Sequence, residues 1–423
     1  MRTPCWCVSS VVAVACLTWS APSFAQDAAG LEAPPGAVPP AVEPEPVEAE
    51  VAESAVPSDL ATAQWGAIPD EVVDDAATME GQVGDASEPG ATSQEEAEPD
   101  KFKLSGRVMA GFQWRDRRPE NGQAGATGTN YGFTLRQARV RTELRPNKRL
   151  RVVISADFAD ALDPTDFDPP PYLRNAYLNF AIEKRWLELR VGRFKRAYSR
   201  IELRSVSQLA FVGRGLTNDL IVEGAQWGDR AVGAMLRGRV EDLGLRWWLS
   251  ATNPEWRVNS EPDGLDLLAR VQWAATDWLS VGAGGGSKWT DSGSGARVNV
   301  FAAGLDARVR VEDLEVMAEL LVGQQARVAG QPMSVGVVGT ANYRVRVSKN
   351  LRVQPTLFGE WTDADIEFSG NDAARLAFGV NLLWKKSFRV MPQLELVRPL
   401  GTVTVSNQWP ASERVSLIFS GQM

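Results

Sequence analysis

Arginine and lysine carry whatever chemistry this chain performs. Its 423 residues include no histidine, and its three cysteines, Cys5, Cys7 and Cys16, all fall in the first sixteen positions. Histidine-assisted nucleophiles, histidine pH switches, HExxH zinc sites and thiolate clusters are thereby excluded. No catalytic residue, metal or cofactor is expected. Basic side chains, by contrast, recur at two-residue spacing: Lys101, Lys103, Arg107 and Arg115, then Arg139 and Arg141, with Arg151 and Arg190 in runs of the same kind. A second group, Arg193, Lys195, Arg196, Arg200, Arg204 and Arg214, crowds into one stretch. A guanidinium presents planar, paired donors that match the oxygens of phosphate or carboxylate, so rows of them in a confined space select anions.

The charge is unevenly placed. Residues 26–100 contain 19 acidic side chains and no basic one, whereas residues 101–423 contain 44 basic and 34 acidic. Within that body the basic excess belongs to residues 101–214, with 23 basic against 11 acidic side chains. The acidic stretch is rich in Ala, Pro and Glu, cannot bury enough apolar surface to offset its chain entropy, and is expected to be a disordered spacer. A sharper reading makes it a tethered competitor for the anions that the basic region attracts. Before it, Arg2, the apolar run Val8 to Trp19 and Ser23-Phe24-Ala25 read as a signal peptide over 1–25.

Strands must position these cations. From Lys101 the sequence alternates with a period of two: Phe102, Leu104, Val108, Ala110, Phe112 and Trp114 are apolar, while Lys101, Lys103, Ser105, Arg107, Gln113 and Arg115 are polar. The same pattern recurs over 150–158 and 351–361. Short polar turns followed by apolar strand starts occur before Leu150, Leu187, Leu245, Leu279, Leu314, Leu351 and Phe388. The starts are 37, 58, 34, 35, 37 and 37 residues apart, which is one hairpin plus one long loop, with a single large insertion. Longer polar stretches lie between, at 116–130, 160–171, 253–263, 290–296, 326–332, 362–372 and 399–411.

Seven tight turns on one side and long loops on the other predict an all-β fold: a 16-stranded antiparallel transmembrane β-barrel over 101–423. Trp114, Trp186, Trp278, Trp289, Trp361 and Trp384 fall at strand ends, where an aromatic girdle meets lipid headgroups. A soluble β-repeat protein would not need tight and long connections to alternate so regularly. A barrel this wide leaves an aqueous channel, and the insertion after Gly192, with Ile201, Leu203, Leu209 and Phe211, is expected to fold inward and line a constriction with its guanidinium groups.

Three segments carry a resemblance: Gly132-Phe133-Thr134-Leu135-Arg136-Gln137-Ala138-Arg139-Val140, Leu173-Arg174-Asn175-Ala176-Tyr177-Leu178, and Val191-Gly192-Arg193-Phe194-Lys195 with Tyr198-Ser199 and Glu202-Leu203. Together they resemble the phosphate-selective porins of bacterial outer membranes. The resemblance is densest over 131–219. It implies a trimer of sixteen-stranded barrels whose Arg- and Lys-lined eyelets pass phosphate or related anions, and it adds Arg136 to the candidate anion-binding residues. Departures include Gln137, Ala197 and Gly213, where the family usually has arginine, proline and glutamate.

The function these features imply is passive, anion-selective diffusion of phosphate or similar small oxyanions across a Gram-negative outer membrane. The alternative is a general or carboxylate-preferring porin. Expected partners are inorganic phosphate or other small anions, outer-membrane lipid and two further copies of the chain, with the acidic segment in the periplasm. Nucleic acid is not expected, because the basic groups alternate into a lumen instead of forming an exposed patch with stacking aromatics.

Overall fold

The computed structural model describes residues 101–118, 128–159, 173–183, 186–254, 264–291, 297–326, 328–385, 387–400 and 411–423. The leader expected over 1–25 and the acidic segment expected over 26–100 lie outside the described residues. The strands are β1 (Phe102–Arg118), β2 (Gly128–Leu144), β3 (Leu150–Asp157), β4 (Leu173–Glu183), β5 (Leu187–Lys195), β6 (Arg230–Val240), β7 (Leu245–Thr252), β8 (Leu265–Ala274) and β9 (Leu279–Asp291). They continue as β10 (Arg297–Val311), β11 (Leu314–Gln324), β12 (Met333–Tyr343), β13 (Val345–Arg346), β14 (Leu351–Asp363), β15 (Asp372–Trp384), β16 (Phe388–Pro399) and β17 (Ala411–Gln422). β12 and β13 are one barrel strand interrupted at Arg344, since both pair with β14. Sixteen antiparallel strands therefore close on themselves where β17 meets β1, from Arg107 opposite Gln422 to Arg118 opposite Ala411.

The seven strand starts read from the turns, Leu150, Leu187, Leu245, Leu279, Leu314, Leu351 and Phe388, are the first residues of β3, β5, β7, β9, β11, β14 and β16. Their turns are short because each joins neighbours in one antiparallel ladder. The long connections also fall where expected, except the first. β1 runs on to Arg118 and β2 begins at Gly128, so polar residues at 116–118 and 128–130 belong to strands. Cross-strand pairing holds them there, as Arg115 to Arg117 face Asn130 to Gly128.

The ordinary inside and outside are exchanged. Leu104, Val108, Phe133, Leu305, Leu357 and Phe378 are exposed on the outer surface, while Arg139, Asp306, Glu319, Arg375 and Glu395 on the alternate positions are buried inside. Lipid rewards the apolar exterior, and closure pairs the described strands edge to edge, so their backbone donors are bonded to neighbouring strands instead of facing hydrocarbon. Trp186, Trp278, Trp289 and Trp384 stand exposed at strand ends. Among the described residues no helix is long and apolar enough to cross a membrane; the strands do so.

The oversized connection, residues 196–229, packs against the inner faces of strands around the barrel. Its Ile201, Val206, Leu209, Phe211 and Val212 meet Met109, Met317, Val338, Phe358, Met391 and Ile418. Further along, Leu220, Ile221, Val222 and Trp227 meet Leu268, Val300, Ala302 and Leu321. Glycines on the wall make room for it. A Cβ on Gly323 would lie 2.9 Å from the Trp227 ring, and one on Gly336 would overlap the Thr217 side chain.

Candidate anion pathway

Arginines 196, 200 and 204 recur every four residues, and each meets a carboxylate on the wall. Arg196 pairs with Asp266 at 2.5 Å, Arg200 with Asp306, and Arg204 with Glu315 at 2.7 Å. Each carboxylate also holds a cation from the wall: Lys288 at 3.8 Å from Asp266, Arg270 against Asp306, and Arg308 at 2.8 Å from Glu315. Inside the loop, Glu202 faces Lys195 at 2.5 Å and Arg214 at 2.9 Å, with none of the three side chains accessible.

Neutral ties fix the same segment. Ser199 caps the short helix Arg200–Leu203 by accepting from the Glu202 amide at 3.0 Å. Its hydroxyl donates to Glu319 at 2.8 Å, and the Arg200 amide donates to the same carboxylate at 2.6 Å. The Tyr198 hydroxyl shares its proton between the carbonyls of Ala303 and Val322, each 2.8 Å away. Farther on, the amides of Leu216 and Thr217 donate to Glu360 at 2.7 and 3.1 Å. Buried hydroxyls and amides cost energy unless paired, so this network specifies one loop position.

The candidate residues separate into three groups. Arg193 and Lys195 belong to strand β5, and the loop itself begins at Arg196. Arg193 gathers with Arg174 and Arg230 about Asp229, and these cations hold the Asp229 carboxyl below its usual range against the opposing effect of burial. The expectation placed the loop's guanidinium groups on the constriction, whereas the structure turns Arg196, Arg200 and Arg214 into buried ion pairs. The partners of Arg196 and Arg200, Asp266 and Asp306, lie on strands far along the chain, beyond the reach of a local reading, while Arg214 meets Glu202 within the loop.

The second group lies on the wall opposite those tethers. Arg139 pairs with Asp157 at 3.2 Å, Arg141 and Arg151 share Glu143 with Arg145, and Arg190 donates to Asn179 at 2.8 Å while stacking over Tyr177. Arg107 donates to Ser205 of the loop and to Gln422. Lys101 and Lys103 are exposed at the tight-turn end of β1.

The third group is where positive charge concentrates. Arg115 lies directly opposite Arg414 of β17, a like-charged cross-strand pair, with Arg117 two residues on. A bulge between Met109 and Ala110 makes two residues of β2 share one place in the ladder, since Met109 faces Gln137 and Ala110 faces Leu135. Arg136 is the extra residue. With Tyr131, Phe133 and Leu135 outside, it falls on the inward side next to Gln137, near Arg375, Arg414 and Glu395. Strand parity alone does not assign both Arg136 and Gln137 to one face, and the bulge does. Arg414 and Arg375 were not among the sequence candidates. Their strand parity was readable, but nothing local marked them off from other basic residues.

The loop contributes acids to this region. Asp219 is exposed on its wide helical turn Asn218–Gly224, and Glu223 is half-buried beside it. Enclosure within the barrel pushes the Asp219 carboxyl up to about 7, despite the neighbouring Arg375 and Arg414. Enclosure, together with the carboxyls of Glu202, Asp219 and Asp229, holds Glu223 well above the carboxylate range.

A closed sixteen-stranded barrel, apolar outside, lined with charge and crossed by an inward loop, defines an outer-membrane porin, a channel and not an enzyme. The model of the family described as phosphate-selective porin O and P matches residues 102–315, just over half of the chain, and the chain belongs to that family. No curated protein matches the chain closely enough to be compared. Solved barrels share the fold at low identity. The outer-membrane channel DcaP of Acinetobacter baumannii is 12% identical, with a TM-score of 0.53 over 76% of this chain and 97% of its own. OprB of Pseudomonas putida is 10% identical, with a TM-score of 0.52 over 76% and 94%. OmpT of Vibrio cholerae is 12% identical, with a TM-score of 0.51 over 78% and 100%.

Proposed function

We propose that this porin is anion-selective and passes phosphate or similar small oxyanions along the wall formed by β17, β1 and β2. The observation that carries this reading is the cluster of Arg115, Arg117, Arg136 and Arg414, in which like charges face one another across strands and four cations gather about Glu395, 3.6 Å from Arg414. Cross-strand like charges cost stability, so an arriving anion relieves repulsion that the empty pore carries. Lys101, Lys103, Arg107, Arg139, Arg141 and Arg190 extend the basic surface along the lumen, and Arg193 together with the ion-paired Lys195, Arg196, Arg200, Arg204 and Arg214 adds to its potential at longer range.

Reversal potential in a planar bilayer under a KCl gradient, followed by phosphate titration, tests the proposal. Anion selectivity with block by low phosphate is expected. Cation selectivity overturns the anion reading, and anion selectivity without block makes the protein a general or carboxylate-preferring porin. That second reading is favoured by the loop's arginines being engaged with carboxylates and not presented to solute. We further propose that the barrel assembles as a homotrimer in outer-membrane lipid, that residues 1–25 are a cleaved signal and that residues 26–100 lie in the periplasm. Migration of unboiled samples on gels tests assembly, and the mature N-terminal sequence tests cleavage.

A further inference from the structure

The rim at the tight-turn end of the barrel is divided by charge. Beside the start of β1, where Lys101 and Lys103 are exposed, the β2–β3 turn exposes Lys148 and Arg149. On the other side of β1, β13, β14 and their turn expose Arg346, Lys349 and Arg352, and the β15–β16 turn exposes Lys385 between them and β1. No acidic residue occurs in 101–107, 144–150, 344–353 or 384–389. Acids stand instead in the turns across the barrel: Glu241 and Asp242 between β6 and β7, Asp277 between β8 and β9, and Glu312 and Asp313 between β10 and β11, all of them exposed.

The basic half is not neutralised from within the barrel. Arg346 lies directly opposite Arg352 across the ladder, and like charges so placed cost stability. Arg344 nearby is flanked by the charges of Arg310, Arg204 and Arg352, and the carboxylate among them, Glu315, is engaged by Arg204 and Arg308. Glu143, opposite Lys103, is engaged by Arg141 and Arg145. Among the described residues Lys101, Lys103, Lys148, Arg149, Arg346 and Arg352 form no ion pair.

The chain carries an anionic occupant at the edge of this arc. Residues 57–100 contain twelve acidic side chains and no basic one, and Glu95, Glu96, Glu98 and Asp100 fall within six residues of Lys101. Arg352 is four ladder steps from β1, about 19 Å at ~4.8 Å per strand, and six residues span at most about 20 Å. Even the last acids therefore reach the whole arc. A ligand joined to its site acts at an effective concentration on the order of millimolar, and the acidic turns across the barrel repel it.

We infer that the basic half of the tight-turn rim is the docking surface for residues 57–100, which compete there with solute anions for the mouth of the pore. The competition rests on the anion-selective reading of the pore; the docking does not. Both weaken with salt, since the screening length falls from about 10 Å in 0.1 M salt to about 3 Å in 1 M.

The test uses the full chain in lipid vesicles and a carbodiimide, which joins a lysine ammonium to a carboxylate only where the two meet. In about 0.1 M KCl, Lys148 and Lys349 are expected to be recovered joined to carboxyls of residues 57–100, with about tenfold lower yield in about 1 M KCl. Arg346→Gln with Arg352→Gln is expected to lower the Lys349 yield about threefold and to spare that of Lys148. A variant of the same length, with every Glu→Gln and every Asp→Asn across residues 57–100, is expected to conduct about twofold better than the wild type in about 0.1 M KCl and equally in about 1 M. Absence of these cross-links in low salt, or equal yields at both salts, overturns the docking surface and assigns the basic arc to anionic lipid headgroups. Cross-links without a gain of conductance in the amide variant overturn the competition alone. Reversal potential keeps a third failure apart, because cation selectivity sinks the anion reading while the cross-links still report docking.

Discussion

Replacing Glu202 with Gln asks whether charge holds the loop in place. Glu202 is inaccessible, with Lys195 and Arg214 at 2.5 and 2.9 Å from its two oxygens. The amide keeps the shape and removes the negative charge that both cations face. Breaking a buried ion pair on one side costs about 3–5 kcal/mol, which at ~1.36 kcal/mol per decade shifts loop seating by roughly 10²- to 10⁴-fold. The barrel itself is untouched, because its ladder from β17 to β1 and onward does not pass through the loop. Opening is confined to the stretch around 195–214, since Trp227 still donates to the Gln324 carbonyl at 3.0 Å and Thr217 still meets Thr362. The expected result is a channel of higher mean conductance with flickering open-state noise, faster tryptic cleavage near Arg204, and unchanged heat-modifiable migration. A quiet channel of wild-type conductance and protease resistance would refute the view that this buried charge cluster latches the loop.

Gly336→Val places a branched side chain where Thr217 lies, an overpacking expected to cost about 1–3 kcal/mol and to unseat the loop from a different flank, read as open-channel noise. Arg136→Gln removes one cation from the wall cluster and is expected to lower the chloride-to-potassium permeability ratio about twofold, measured as reversal potential. Asp219, held at about 7, is mostly neutral at pH 6 and mostly ionised at pH 8. Its negative charge opposite Arg136 and Arg414 therefore grows as pH rises, so anion preference is expected to fall between pH 6 and 8, and Asp219→Asn should flatten that slope.

Strand starts were legible because tight turns are local: a few polar residues followed by Leu or Phe mark the end of a hairpin without reference to the rest of the chain. The inward side of β1 was equally legible from alternation, since lipid enforces apolar residues on one face. The facing of Arg136 was not, because a bulge resets parity and depends on where β1 pairs with β2. The partners of Arg196, Arg200 and Arg204 were hidden for a related reason. Asp266, Asp306 and Glu315 follow tens of residues later and meet the loop only after the barrel has closed. A basic stretch read alone thus looks like a row of available cations, when much of it is fastening.

That fastening need not cost the pore its sign. In the clusters Arg196–Asp266–Lys288 and Arg204–Glu315–Arg308 one carboxylate is shared by two cations, so each has a positive charge in excess, whereas Arg200 and Arg270 have Glu319 beside them as well as Asp306. A one-to-one pairing of the same arginines would have fixed the loop equally well and left it neutral. Shared carboxylates let one set of residues fix geometry and contribute potential. The opposite stoichiometry occurs on the far wall, where Arg375 is held by both Glu360 and Glu395, at 3.1 and 2.7 Å. There the basic excess comes from Arg414, Arg115, Arg117 and Arg136 around that group. Basic groups on the tether side are thus held against carboxylates, and on the wall side Arg115 and Arg414 face each other across strands, with Arg414 also 3.6 Å from Glu395. On the proposed anion reading, the repelling wall arginines have more to gain from an anion than the tethered loop arginines, and substitutions there test that reading first.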